Sequence, residues 1–306
     1  MSNTETLNSI PDLKKVMRRI VAGAVPAVGT KHVADADPST HLEVHGVSIE
    51  RAHLATYTRA TGLRLGNEVP ITYLYVLSFP LTMELMSRSD FPFAPVGAVH
   101  VANEITQLRP VGVDENFTVR THAENLRPHR KGLLIDIITT VTPDNETEPV
   151  WSQTSTFLGQ GARFASSAPV ALTTRGRDDA RPLDFPDVPD HAAIAQWRFS
   201  RNNVRAYVEA SGDSNPIHTS NLGAKAFGFP AVIAHGMLSA AAALRLVDGR
   251  WAGPLRYTVE FHKPIVIPAR VAAWAEPDDN GFSLQLRQAS KPEKLHLNAR
   301  LDRIDT

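Results

Sequence analysis

The chain repeats itself. Arg51-Ala52-His53-Leu54-Ala55-Thr56-Tyr57-Thr58-Arg59-Ala60-Thr61-Gly62 aligns with Arg201-Asn202-Asn203-Val204-Arg205-Ala206-Tyr207-Val208-Glu209-Ala210-Ser211-Gly212, at an offset of 150 residues. Farther on, Val76 to Leu81 sets against Val232 to Met237, and Arg109-Pro110-Val111 against Lys263-Pro264-Ile265. The offsets there drift to 156 and 154, as loops of unequal length require. Each copy continues with alternating or β-branched runs, Asn116 to Asn125 and Leu133 to Val141 in the first, Arg256 to Phe261 and Phe282 to Arg287 in the second. Two similar α+β units are therefore expected, each a helix with an antiparallel sheet. A unit of that kind leaves a sheet edge and an apolar face to be covered, so two in one chain can form an internal pseudo-dimer. The segment 161–191 is rich in Ala, Ser, Pro, Arg and Asp, and Arg181-Pro182, Phe185-Pro186 and Val188-Pro189 restrict any helix there. It reads as an extended surface linker between an amino-terminal unit, 1–160, and a carboxy-terminal unit, 192–306.

Composition narrows the function classes. With 42% hydrophobic residues in 306, the chain can bury a core, and its 32 basic and 32 acidic residues cancel, which argues against a nucleic-acid partner. The absence of cysteine excludes disulfides and thiolate chemistry. The longest apolar run, Val69 to Met86, holds Pro70, Pro80 and Glu84, so no membrane span is expected. Leu13 to Val25 reads as a surface helix exposing Lys14, Lys15, Arg18 and Arg19, rather than as an export signal. A cytoplasmic enzyme is the expectation.

The chemistry-bearing residues sit in the second copy. In Gly212-Asp213-Ser214-Asn215-Pro216-Ile217-His218 an acid and an imidazole stand five positions apart, and Gly212, Asn215 and Pro216 predict a tight loop rather than a helix. Aspartate titrates near ~3.9 and histidine near ~6.5, so a neighbouring pair can hold one water between an acceptor and a poised base. Asn215 offers a neutral donor and acceptor to fix the carboxylate or the loop. Gly236 follows His218 by eighteen residues. Ala231 to Ala234 reads as a short strand and Met237 to Leu244 as a buried helix, which puts Gly236 at a helix mouth. The first amides of a helix lack internal partners and carry the positive end of its dipole, so the Gly236 N–H is a candidate donor to a developing oxyanion. His235 reads as a packing or structurally bonded residue, not as the base. Taken alone, Gly-Asp-x-Asn-Pro is common turn chemistry. Its joint occurrence with His218, Gly236 and the alanine-rich helix points to catalysis. Such parts suit addition of water to a double bond conjugated with a carbonyl, and equally hydrolysis of a thioester. The twelve histidines show no pair with convincing ligand spacing, so no metal is expected.

The run Tyr207 to His218, then Ala224, Gly228-Phe229 and Val232-Ile233-Ala234-His235-Gly236-Met237, resembles the signature of the MaoC-like dehydratases, the (R)-specific enoyl-CoA hydratases or hydratase 2. The resemblance implies the hot-dog fold, a long helix wrapped by an antiparallel sheet, here in double form. It implies that Asp213 and His218 are the catalytic dyad, Asn215 a supporting residue and the Gly236 amide the oxyanion donor. The implied activity is reversible hydration of trans-2-enoyl-CoA to (3R)-3-hydroxyacyl-CoA, with CoA entering only as part of the substrate and no cofactor. Alternatives are dehydration of a (3R)-hydroxyacyl carrier protein in fatty-acid elongation, thioester hydrolysis, and acyl binding without turnover. The implied partners are an acyl-CoA or acyl-carrier-protein thioester, with a homodimer as a candidate assembly.

The first copy lacks these parts. Leu63 falls opposite Asp213, Glu68 opposite His218, and Pro80, which has no N–H, is set against Gly236. By the resemblance, an inactive half widens the acyl tunnel, for which Tyr73, Tyr75, Phe79, Leu81 and Met83 are candidate lining residues; each is also an ordinary core residue. Arg175, Arg177 and Arg181 are candidates for the CoA phosphates, although a solvated linker explains them as well. Lys225, Arg250, Arg256 and Lys263 are unranked alternatives.

Overall fold

The protein is described here by a computed structural model, which covers residues 3–23, 32–176, 182–250 and 253–304. The elements of the first stretch are β1 (Asn3–Leu7), α1 (Leu13–Gly23), β2 (Thr40–Ser48), α2 (Arg51–Thr61), α3 (Tyr73–Met86), β3 (Ala98–Gln107), β4 (Asn116–His129), β5 (Gly132–Pro143), β6 (Trp151–Gln160) and α4 (Val170–Thr173). There follow β7 (Ala195–Phe199), α5 (Arg201–Ser211), α6 (Pro216–Thr219), α7 (Asn221–Ala226), α8 (Gly236–Leu244), β8 (Leu255–Phe261), β9 (Ala269–Pro277), β10 (Gly281–Gln288) and β11 (Lys291–Arg303).

Contacts gather the chain into two units, Met1–Ser48 with Tyr75–Asn103 and Asp114–Arg181, and Ile49–Leu74 with Glu104–Val113 and Pro182–Thr306. In the first unit β1 pairs in parallel with β2, and β2, β4, β5 and β6 form an antiparallel run. Helix α1 buries Leu13, Val16 and Ile20, one stripe at helical spacing, and exposes Lys14 and Lys15. Arg19, from the same helix, pairs with Glu84. Ala24 and Val25, expected to extend this helix, lie outside the described residues. Helix α3 is apolar on nearly every side and correspondingly buried. Tyr73 and Leu81 are 0% exposed, so these two take the core role of the two open to them. Tyr75 stacks on Phe79 and His100 in the same packed layer.

In the second unit β8, β11, β10, β9 and β7 lie side by side, all antiparallel. Helix α8 packs on β10 and β11 and is buried from Met237 to Leu244; four consecutive alanines, Ala240 to Ala243, let its backbone approach the strands closely. Helices α2 and α5 carry the sequence repeat into structure. Both span 11 residues and both close on a left-handed glycine, Gly62 at φ 77° and Gly212 at φ 71°. Each glycine N–H returns to a carbonyl of its helix, Thr58 and Val208 respectively. The two helices pack on each other, with the Tyr57 and Tyr207 rings 6.4 Å apart. This packing draws 49–74 into the second unit, so contacts divide the chain differently from the repeat.

Two other expectations change, and a third gains detail. Ala231 to Ala234 contributes only a single bridge, Ile233 to Val266, rather than a strand. Pro80 lies in the interior of α3, whereas Gly236 is the first residue of α8, so the two are not equivalent positions. The last part of the linker, expected to run extended along the surface, is hydrogen-bonded to the strands of the second unit. Leu183 N–H donates to Glu260 Oε1 at 2.8 Å, and Arg287 Nη2 to the carbonyls of Pro186 and Asp187 at 2.7 and 2.9 Å.

Helix α5, which leads into the motif, begins with a capping box: Ser200 accepts from the Asn203 N–H while the Asn203 side chain accepts from the Ser200 N–H. Ser200→Ala should lower the unfolding free energy by about 1 kcal/mol, read as a lower urea midpoint at unchanged slope.

Candidate active site

The site is built outward from the end of α5. Gly212 reverses the chain, and the Asp213 N–H then donates to Ser211 Oγ at 3.2 Å. Asp213 Oδ1 accepts the N–H of Asn215 at 3.2 Å, an Asx turn that fixes the carboxylate. The Asn215 side chain looks forward instead, capping the next turn by accepting from the Ile217 N–H at 3.3 Å. That turn is helix α6, where a tight loop was expected. Pro216 occupies its first position, where a missing N–H costs nothing, so proline starts the helix instead of preventing it.

His218 lies on α6 with Nδ1 2.8 Å from the carbonyl of Ile233. A carbonyl can only accept, so Nδ1 carries the proton and Nε2 is left with its lone pair. Burial pushes the His218 pKa down, against the opposing pull of the Asp213 charge and the Ile233 bond. His235 forms the back of the site. It is 3% exposed, its ring stacks on that of His218 at 3.7 Å, and Tyr207 packs on it at 5.0 Å. Its Nε2–H donates to the Asp213 carbonyl at 3.0 Å and stands 3.8 Å from Oδ2. Burial, aided by His218, pushes its pKa down to about 3, with Asp213 opposing. The expectation that His235 bonds structurally therefore fits, but what it bonds is the site itself. Nothing in the residue pattern pointed to that partner, because it is a backbone carbonyl.

Gly236 opens α8 directly after His235. The Ser239 N–H bonds to the His235 carbonyl, so the Gly236 N–H belongs to the first-turn amides without an intrahelical partner. A Cβ at Gly236 would lie 3.1 Å from the Phe261 ring, so a larger residue would push that ring aside.

Asp213, His218 and His235 offer ligand atoms within 4.8 Å of one another. The two rings are stacked with 29° between their planes. One nitrogen of each is also committed to a carbonyl.

Among the basic residues considered for phosphates, Arg175 is engaged by Asp37 at 2.8 Å, and Arg177 and Arg181 lie outside the described residues. Arg256 stands 3.7 Å from Glu104, while Lys225, Arg250 and Lys263 are exposed. In the first copy Leu63 is buried and Glu68 is exposed.

The neutral histidines have a consequence for stability. Unfolded, an imidazole takes up a proton as the pH falls through 6.5; folded, His235 resists protonation until about 3. The unfolded state therefore binds more protons across that window. The stabilisation is fully present above pH 6.5 and is lost on acidification, by at most about 1.4 kcal/mol per pH unit for one such group. His235→Gln, which keeps an amide donor but cannot titrate, should flatten this dependence. Urea unfolding of both proteins at pH 7 and pH 5 measures it, and identical slopes would refute the assignment.

Residues 180–292 match the MaoC like domain. Over 281 residues the chain is 41% identical to 3-hydroxyacyl-thioester dehydratase X of Mycobacterium tuberculosis, covering 92% of this chain and 95% of that protein. The crystal structure of HtdX from Mycobacterium tuberculosis is similar with a TM-score of 0.73 and 39% identity, covering 86% of this chain and 100% of that one. Probable enoyl-CoA hydratase 2 of Dictyostelium discoideum is 25% identical over 146 residues, 47% of this chain and 47% of that protein. Among the described residues no helix is long and apolar enough to cross a membrane. With the repeated helix-and-sheet halves and the acid–imidazole loop, these likenesses make the chain a member of the MaoC-like dehydratases, a hydro-lyase with a double hot-dog fold.

Proposed function

We propose that the chain catalyses reversible hydration of a trans-2-enoyl-CoA to the (3R)-3-hydroxyacyl-CoA. The observation that carries this reading is the state of His218, a neutral ring whose Nδ1–H is spent on Ile233, leaving Nε2 as an acceptor in the same cluster as the Asp213 carboxylate. A water held by Nε2 and the carboxylate loses a proton to this pair as its oxygen bonds to C3. The electrons of the double bond move onto the thioester carbonyl, and the Gly236 N–H at the mouth of α8 receives the resulting oxyanion. The pair then returns one proton to C2, so the protein ends as it began. Asn215 serves through its backbone N–H, which holds Oδ1 and leaves the other oxygen to face the water. Hydration transfers no electrons to an external acceptor, so the scheme needs no redox cofactor. The stereochemistry rests on the family likeness alone.

The reverse reaction on a 3-hydroxyacyl carrier protein would use the same residues, and comparing turnover of CoA and carrier-protein thioesters separates the two substrates. Hydrolysis of the thioester would instead release free thiol from a saturated acyl-CoA.

Asp213→Asn and His218→Ala should each lower kcat by about 10²–10⁴ while leaving the protein folded, whereas Glu68→Ala, at the matched place in the first copy, should leave it near wild type. Loss of enoyl-thioester absorbance, with chiral analysis of the product, measures this. Near-wild-type kcat in either of the first two variants would overturn the dyad.

A further inference from the structure

The copy that has lost the acid and the base still reaches the site. We propose that His53, on α2, is a positioning residue that holds the end of α5 from which Asp213 projects; the inference builds on the role given to Asp213 above. His53 Nε2 lies 2.7 Å from the carbonyl of Ala210 and Nδ1 2.9 Å from the Tyr73 hydroxyl. Because the carbonyl can only accept, Nε2 is a protonated nitrogen, and in the neutral ring Nδ1 accepts the Tyr73 O–H. Tyr73 is suited to that donation. It is wholly buried, and burial together with the Glu50 charge raises its pKa, so it keeps its proton. Its ring is braced edge-on by Tyr57, whose own hydroxyl donates to Thr72 at 2.8 Å. The result is a directed relay, Tyr73 O–H to His53 to Ala210 carbonyl, with each atom in one hydrogen-bonding sense.

The carbonyl at its end matters because of its place in the helix. The last carbonyls of a helix have no partners within it. In α5 the Val208 carbonyl is met by the Gly212 N–H at 2.8 Å and the Tyr207 carbonyl by the Ser211 hydroxyl at 2.7 Å. The Ala210 carbonyl, in a buried residue, is met by His53. Ser211 in turn holds the Asp213 N–H, so a shift in the last turn of α5 is passed directly to the carboxylate. Symmetry of the repeat does not explain the contact. The residue matched to His53 is Asn203, and its side chain is used in the capping box with Ser200. The reach of His53 is specific to the first copy and is directed at the active second one.

The test uses the full chain with His53→Ala, His53→Asn and His53→Gln. Glutamine can place an amide donor near the position of Nε2, whereas asparagine is too short to reach Ala210. Alanine and asparagine should lower kcat by roughly tenfold to a hundredfold, the scale of a misplaced catalytic group, with KM little changed. Glutamine should restore most of the rate. Hydrogen exchange of the amides of 212–218, followed by mass spectrometry without substrate, should quicken in the alanine and asparagine variants and not in the glutamine variant. Exchange and kcat that are the same in all four proteins would overturn the inference. So would equal rates for asparagine and glutamine, the pair that decides if alanine fails to fold. If exchange follows the expected order but wild type hydrates no enoyl thioester, the positioning role stands and the proposed reaction falls.

Discussion

A helix whose last turn is buried must find partners there for its carbonyls, and the way α5 meets that requirement organises the rest of the site. A left-handed glycine takes the Val208 carbonyl, an imidazole from another helix takes that of Ala210, and a serine hydroxyl adds a bond to that of Tyr207. These bonds settle the direction in which the chain leaves the helix, and Asp213 is the first residue after that turn. The aspartate is then gripped on three sides, through its N–H by Ser211, its carbonyl by His235 and one carboxylate oxygen by Asn215. Little conformational freedom remains for the substrate to remove, which is what preorganisation of an acid/base group requires.

Electrostatically the centre is spare. Two imidazoles stacked at 3.7 Å in a buried place cannot both carry charge, and burial keeps both neutral. Each is held in one tautomer by a carbonyl. Asp213 is then the ionisable carboxylate at the centre of the cluster, and the protons around it have assigned places. A neutral base with an open lone pair beside a fixed carboxylate can exchange a proton with little rearrangement of its surroundings.

Much of this was legible in the sequence where side chains carry the signal. The repeat aligned α2 and α5 to the residue because tyrosine, the small residues and the terminal glycine recur at fixed spacing, and the alanine run marked α8 with Gly236 at its mouth. What was missed depends on backbone partners or on the third dimension. Pro216 was read as a breaker because the rule that proline stops helices was applied without the first-position exception. His53 and His235 bond to carbonyls, which leave no imprint on residue type. Pro80 was matched to Gly236 through a run of apolar residues whose register no fixed residue anchors. Tyr73 and Leu81 looked as suited to a tunnel as to a core, and only packing distinguishes the two.

The interleaving of the copies bears on how such a chain can evolve. The segment 49–74 belongs by contact to the second unit, where α2 covers α5, and 182–187 is bonded to the strands of that unit. A gene encoding the second copy from residue 192 onward would retain Asp213, His218 and Gly236, yet would lack both the helix packed on Tyr207 and the strap bonded to its strands. The first copy, without that acid and imidazole, therefore still supplies a helix on which the second unit packs. With α2 packed on α5 in this way, a chain split between the copies would strip the second of its neighbour, a constraint on any evolution by fission.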